Sequence, residues 1–213
     1  MSRPMKPASA SMSLIAGLIA LSSSFALAER AASARVIKCE GPFGRDTSHA
    51  DLVKAFGNNN VVDQDIDGAE GQKIKASVLH PNDPKARLEF IWSDEKARRA
   101  PMIRAKDQSV WTAANGLRIG TALADVEKMN GKPFKLSGFD WDYGGRVTDW
   151  QGGALGKPQP GGCMIGVEFV HPEDSPEANL TKVTGDGEFR SDNDDMRAVE
   201  PYVAVVIISY PRR

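Results

Sequence analysis

The chain has 213 residues, 41% of them apolar and 26% charged, which is near the globular norm and excludes collagen-like and wholly disordered chains. Lys and Arg number 27 against 28 Asp and Glu, and the pI is near 6.3. A nucleic-acid binder would be far more basic, and the length allows one ordinary domain or two small ones.

Residues 1–28 read as a secretory signal peptide. Arg3 and Lys6 make a positive start, Leu14 to Leu21 form a short apolar core, and Ala26-Leu27-Ala28 fits small-x-small cleavage, with Ala32-Ser33-Ala34 as a second site. The apolar run is shorter than the ~20 residues a membrane span needs. Cleavage after Ala28 would leave 25 basic and 28 acidic side chains. Cys39 follows Arg35-Val36-Ile37-Lys38, which is no lipoprotein motif. The expected location is therefore the periplasm or the exterior, without a membrane span.

Asp46-Thr47-Ser48 offers helix caps, Leu52, Val53 and Phe56 line one side of a short helix, and Gly57 ends it. Residues 63–68 read as an acidic turn. Ile74 to Val78 alternates with Lys73, Lys75 and Ser77 and predicts a half-buried strand. After a turn over 80–84, Leu88, Phe90 and Trp92 predict a second strand antiparallel to the first. Residues 94–106 are charged and read as loop or short helix. Val110-Trp111-Thr112 reads as a short strand closed by Asn115-Gly116.

A second helix is predicted from Thr121, with Leu123, Val126 and Met129 on one side and Asn130-Gly131 as its stop. Phe139, Trp141 and Tyr143 alternate with polar residues as a strand, Gly144-Gly145 turns it, and 146–151 returns. Residues 152–162 form a glycine-rich loop, Met164 to Val170 a strand, and 171–200 an irregular acidic connection. Tyr202 to Tyr210 is apolar on both faces and suits a central strand.

Two cysteines remain, Cys39 and Cys163. In an oxidising compartment an even count favours one disulfide, worth about 4–5 kcal/mol in the chain-entropy model. Two buried thiols or an intermolecular pair are the alternatives. No metal site follows from two cysteines so far apart.

Thr47–Gly57 (TSHADLVKAFG) aligns with Thr121–Gly131 (TALADVEKMNG) at five of eleven positions, 74 residues apart. Each unit runs from capped helix through a glycine stop to strands, which predicts a tandem repeat. The first unit would cover 35–115. The second would cover 116–213, with the acidic loop and a C-terminal strand.

Gly116-Leu117-Arg118-Ile119-Gly120-Thr121, a short helix, and then Asn130-Gly131-Lys132-Pro133-Phe134 before a hairpin make a pattern. Over about residues 40–170 it resembles the tandem α/β family of the β-lactamase-inhibitory protein and the related small outer-membrane assembly lipoproteins. The phrase Gly138-Phe139-Asp140-Trp141-Asp142-Tyr143-Gly144-Gly145 is similar to stretches of uncharacterised secreted bacterial proteins. The resemblance implies an α+β fold: an antiparallel sheet built from two helix-then-strands repeats, with short helices on one face. The chain departs from that family in its acidic segment, its added last strand and its lack of a lipoprotein cysteine. No family binding residue can be matched by position.

Several motifs are incomplete. Asp63-x-Asp65-x-Asp67-Gly68 opens like a calcium loop, but Glu70 and Ile74 stand where position 8 needs an apolar residue and position 12 a carboxylate. Asp192, Asp194 and Asp195 read as a solvated acidic loop. Ser93-x-x-Lys96 and Ser191-Asp192-Asn193 hint at a penicillin-recognising serine enzyme, yet no Lys-Thr-Gly follows. Gly152 to Lys157 lacks the first glycine and the Ser or Thr of a phosphate loop. His49, His80 and His171 fall in unrelated segments, so a Ser–His–Asp meeting could arise only in space.

Surface chemistry carries the functional expectation. Residues 85–106 have a net charge of +4 and residues 171–200 of −6, an opposition able to steer a protein partner. Trp111, Trp141, Tyr143 and Trp150 are the candidate binding residues, because exposed Trp and Tyr carry interface energy. Phe139 and Trp92 read as core. For Trp141 and Tyr143 core and surface stay equally open. The expected function is a binding or inhibitor-like module acting on an envelope protein, with no catalysis, cofactor or metal. The alternatives are a small hydrolase using Asp140, Asp142 and Asp149, and an envelope structural protein.

Overall fold

The computed structural model describes residues 35–94 and 99–211. The leader over 1–28, the second cleavage site at 32–34, and Lys96 of the Ser-x-x-Lys motif lie outside the described residues. The fold is α+β and mostly strand, with four short α-helices among the described residues.

Strand β1 (Val36–Ile37) precedes helix α1 (His49–Phe56). Ser48 caps α1 by accepting from the Asp51 amide while the Asp51 carboxylate accepts from Ser48, a reciprocal capping box. A meander follows: β2 (Val61–Asp67), β3 (Lys73–Leu79), β4 (Leu88–Asp94) and β5 (Arg99–Ala105). β6 (Thr112–Ala113) pairs in parallel with β1. Helix α2 (Leu123–Asn130) stops at Gly131, which is left-handed at φ 78°. The rest is β7 (Lys135–Ser137), β8 (Val147–Asp149), β9 (Met164–Val170), α3 (Glu177–Leu180), β10 (Glu188–Arg190), α4 (Asp194–Ala198) and β11 (Tyr202–Ser209).

The main sheet is antiparallel in the order β2-β3-β4-β5-β11-β9. A second sheet runs β10-β7-β8. It is joined to the outer edge of β9, where Phe169 donates to the Gly145 carbonyl at 2.9 Å and Arg146 bridges Glu168. Strands from before residue 116 thus occupy one side of the assembly, and strands from after it the other. One core spans both sides. Leu52 of α1 and Leu123 and Val126 of α2 bury into the same cluster as Leu79, Phe90, Ile103, Val167 and Ile208. Cys39 and Cys163 are joined by a disulfide with Cα atoms 5.9 Å apart.

Three expectations are corrected. The acidic turn at 63–68 is instead the end of edge strand β2. Asp65 lies opposite Lys75 and Asp67 opposite Lys73, so the aspartates alternate along one face and meet lysines across the ladder. They do not converge as calcium ligands would. The charged stretch 94–106 contains β5, whose Ile103 and Ala105 are buried. Its Pro101 is tolerated because β5 pairs with β11 only from Ile103 to Ala105 and has no strand on that side earlier. The connection at 171–200 is not irregular: it holds α3, β10 and α4.

Candidate functional site

The predicted hairpin is shorter than its sequence pattern. β7 ends at Ser137, and 138–145 form a turn instead of a strand. Close backbone contact causes the departure. The Gly138 amide donates to the Gly187 carbonyl and the Phe139 amide to the Val183 carbonyl, both at 2.9 Å. A Cβ on Gly138 would lie 2.5 Å from the Gly185 carbonyl oxygen. Gly145 is left-handed at φ 68°, and a Cβ there would lie 2.0 Å from the Phe169 oxygen. Phe139 turns inward into the core, and the chain leaves the sheet with Asp140 at φ 63°.

This turn carries Trp141 and Tyr143 on the surface, 43% and 41% exposed. Their rings meet edge to face, centroids 6.0 Å apart. They flank a cleft of about 370 Å³ that Arg146, Thr148, Asp186 and Glu188 also line. Glu188 accepts from Lys135 and Thr148, both at 2.7 Å, and these bonds hold its carboxyl below the ordinary carboxylate range. Beside the cleft, Asp140 meets His171 Nε2 at 3.2 Å and Thr184 at 3.3 Å, while the His171 ring stands edge to face with Phe139.

The other two proposed binding residues lie elsewhere. Trp111 is buried, its indole nitrogen donates to the Ala86 carbonyl at 2.7 Å, and its ring packs on Phe43. Trp150 packs on Phe134 and donates to the Ile165 carbonyl at 3.1 Å. Both indoles are consumed by the fold, so neither belongs with the turn. Trp92 is core, as its alternation predicts, and donates to Ser77 at 3.1 Å. Trp141 differs from these three: its indole N–H has no acceptor among the described residues.

A Ser–His–Asp meeting does occur in space, invisible to local sequence patterns. His49 Nδ1 lies 2.8 Å from Ser77 Oγ and 3.3 Å from Asp63 Oδ1, and Ser77 donates to Asp63 at 2.7 Å. In a catalytic triad the serine and the acid use different imidazole nitrogens. Here one nitrogen faces both, and Ser77 is wholly buried under Trp92. The arrangement ties α1 to β2, β3 and β4. A second node has Ser191 donating to Glu127 at 2.6 Å, with Arg197 on the same carboxylate at 2.7 Å. It fastens the acidic segment to α2.

Among the described residues the opposed charge patches find partners within their own segments. In the basic segment Arg87, Arg104 and Lys106 surround Glu89, which is 1% exposed, at 3.1, 2.7 and 3.8 Å. In the acidic segment Asp195 pairs with Lys182 and Asp192 with Arg190. Among the described residues no ion pair joins the two segments. Asp140, Asp142 and Asp149 are not drawn into one network either, since Asp149 is occupied by Gln151 and Asp140 by His171 and Thr184. No helix among the described residues is long and apolar enough to cross a membrane. No protein-family model, curated protein or solved structure matches this chain.

Proposed function

We propose that this chain is a secreted or periplasmic binding module, inhibitor-like in kind, that acts on an envelope protein through a protein–protein surface and does no chemistry itself. The observation that carries the reading is the Trp141–Tyr143 turn. Two large rings are exposed on a backbone pinned by Gly138 and Gly145, and the Trp141 indole has no acceptor among the described residues. Exposed Trp and Tyr in a rigid frame supply interface energy with little ordering cost on binding.

Two features support the setting. The Cys39–Cys163 disulfide suits an oxidising compartment, where the leader over 1–28 would deliver the chain. The tandem repeat belongs to the same reading: α1 precedes the strands on one side of the sheet and α2 those on the other. The inhibitor-like character rests on the family resemblance of the 116–134 segment. A hydrolase is set aside because its three aspartates have separate surroundings.

Two columns test the proposal. One carries residues 29–213, the other the same chain with Trp141→Ala and Tyr143→Ala, and native envelope extract passes over both. The expected result is one protein held in near-equal amount by the first column and at least about tenfold depleted on the second. Equal retention on both columns, or none on either, would overturn the reading.

A further inference from the structure

We propose that the partner inserts a cationic side chain, arginine or lysine, at the Trp141–Tyr143 cleft. This rests on the binding-surface reading above and adds the chemistry of what is bound.

Aromatic faces carry negative quadrupole potential and attract cations. Both rings here are exposed. The charges around them are unbalanced toward the acidic side. Arg146 in the cleft already faces Glu168 at 3.9 Å, and Lys135 faces Glu188 at 2.7 Å. Asp142, between the two rings in sequence, and Asp186, in the cleft lining, are exposed and have no counter-ion among the described residues. Two carboxylates are thus left over, Asp186 in the lining of the cleft and Asp142 in the turn that carries the rings. The segment 171–200, which supplies Asp186, carries a net −6 and would steer a basic partner toward the cleft.

The surface is wider than a small-molecule pocket. Glu168 meets Arg146 at the rim. Val170 shares the Glu168 face of β9 by strand alternation, and Tyr202 is its cross-strand neighbour on β11. Both are exposed, so apolar surface continues away from the cleft. That extent fits a protein that buries apolar contacts around one inserted cation.

The test uses the folded chain, residues 29–213, with ¹⁵N label. Three probes are added: acetyl-Gly-Arg-Gly-amide, its lysine counterpart and its citrulline counterpart, which keeps the arginine shape without the charge. The indole N–H resonances are followed, with those of Trp92, Trp111 and Trp150 as internal controls. The Trp141 resonance should move saturably with the arginine and lysine peptides. Citrulline should bind about fivefold more weakly. Asp142→Asn with Asp186→Asn should weaken the arginine peptide by a similar factor while the spectrum stays folded. Equal binding of citrulline, no movement at Trp141, or indifference to the two Asn substitutions would overturn the inference. The envelope columns keep the two proposals apart. If capture is lost with Trp141→Ala and Tyr143→Ala but unchanged with the Asn pair, the surface stands and the cation falls. If capture survives loss of both rings, the surface reading itself fails.

Discussion

Between residues 35 and 115 the fold gives both tryptophans and the buried carboxylate internal partners. Trp92 donates to Ser77, Trp111 to the Ala86 carbonyl, and Glu89 meets three cations. Between 116 and 211 the same kinds of group are divided. Trp150 is turned inward, while Trp141 and Tyr143 stand outside on a turn held by backbone contacts. The strands before and after residue 116 feed one core, and the outward pair is not part of it. Function is to be sought at rings whose exposure the packing does not explain.

The largest loss of stability is expected at Glu89. Glu89→Gln leaves Arg87, Arg104 and Lys106 without their shared anion. Removing one partner of a buried ion pair costs about 3–5 kcal/mol, and the lower end applies because the cations keep some solvent. Urea unfolding should show an unfolding free energy reduced by that amount, and an unchanged midpoint would mean the cluster is not buried. Next comes Gly145→Ala, where a left-handed residue would gain a Cβ against the Phe169 oxygen. About 2 kcal/mol or more should be lost, together with displacement of the aromatic turn. Trp141→Ala with Tyr143→Ala sharpens the contrast from the other direction: stability should change by less than about 0.5 kcal/mol per site, as for exposed positions. A large loss would place these rings in the core after all.

The smallest effect concerns His80, which lies beside the Phe56 ring. Burial, and then the charge of Arg35, lower its pKa from 6.5, although Asp83 pulls the other way. The unfolded chain therefore binds this proton more readily. The stability involved is present above about pH 6.5 and declines as pH falls through that value. His80→Asn, with a residue that accepts the left-handed φ of 50°, should flatten this slope in unfolding curves taken between pH 7 and pH 5.

The fold was legible wherever hydrophobic period and caps agreed. Ser48 and Gly57 bound α1, Met164–Val170 matches β9, and the two-faced apolar run of 202–210 is the central β11. It was not legible where pairing partners are distant. The aspartates of β2 read as a turn until Lys73 and Lys75 appear across the ladder. In β5, Pro101 and the flanking charges hid two buried positions. At the site, alternation of Phe139, Trp141 and Tyr143 implied a strand, but the contacts of Gly138 with residues 185 and 187 bend the chain away first. Trp111 and Trp150 donate to the Ala86 and Ile165 carbonyls, and a sequence gives no sign of which carbonyl will receive a tryptophan N–H.

Hydrogen–deuterium exchange of the four indole N–H groups separates the outward tryptophan from the three bonded inside the fold. Slow exchange at Trp92, Trp111 and Trp150, each bonded inside the fold, with free exchange at Trp141, is the predicted result. Protection of Trp141 equal to the other three would contradict the account, because its N–H would then already have an acceptor within the fold.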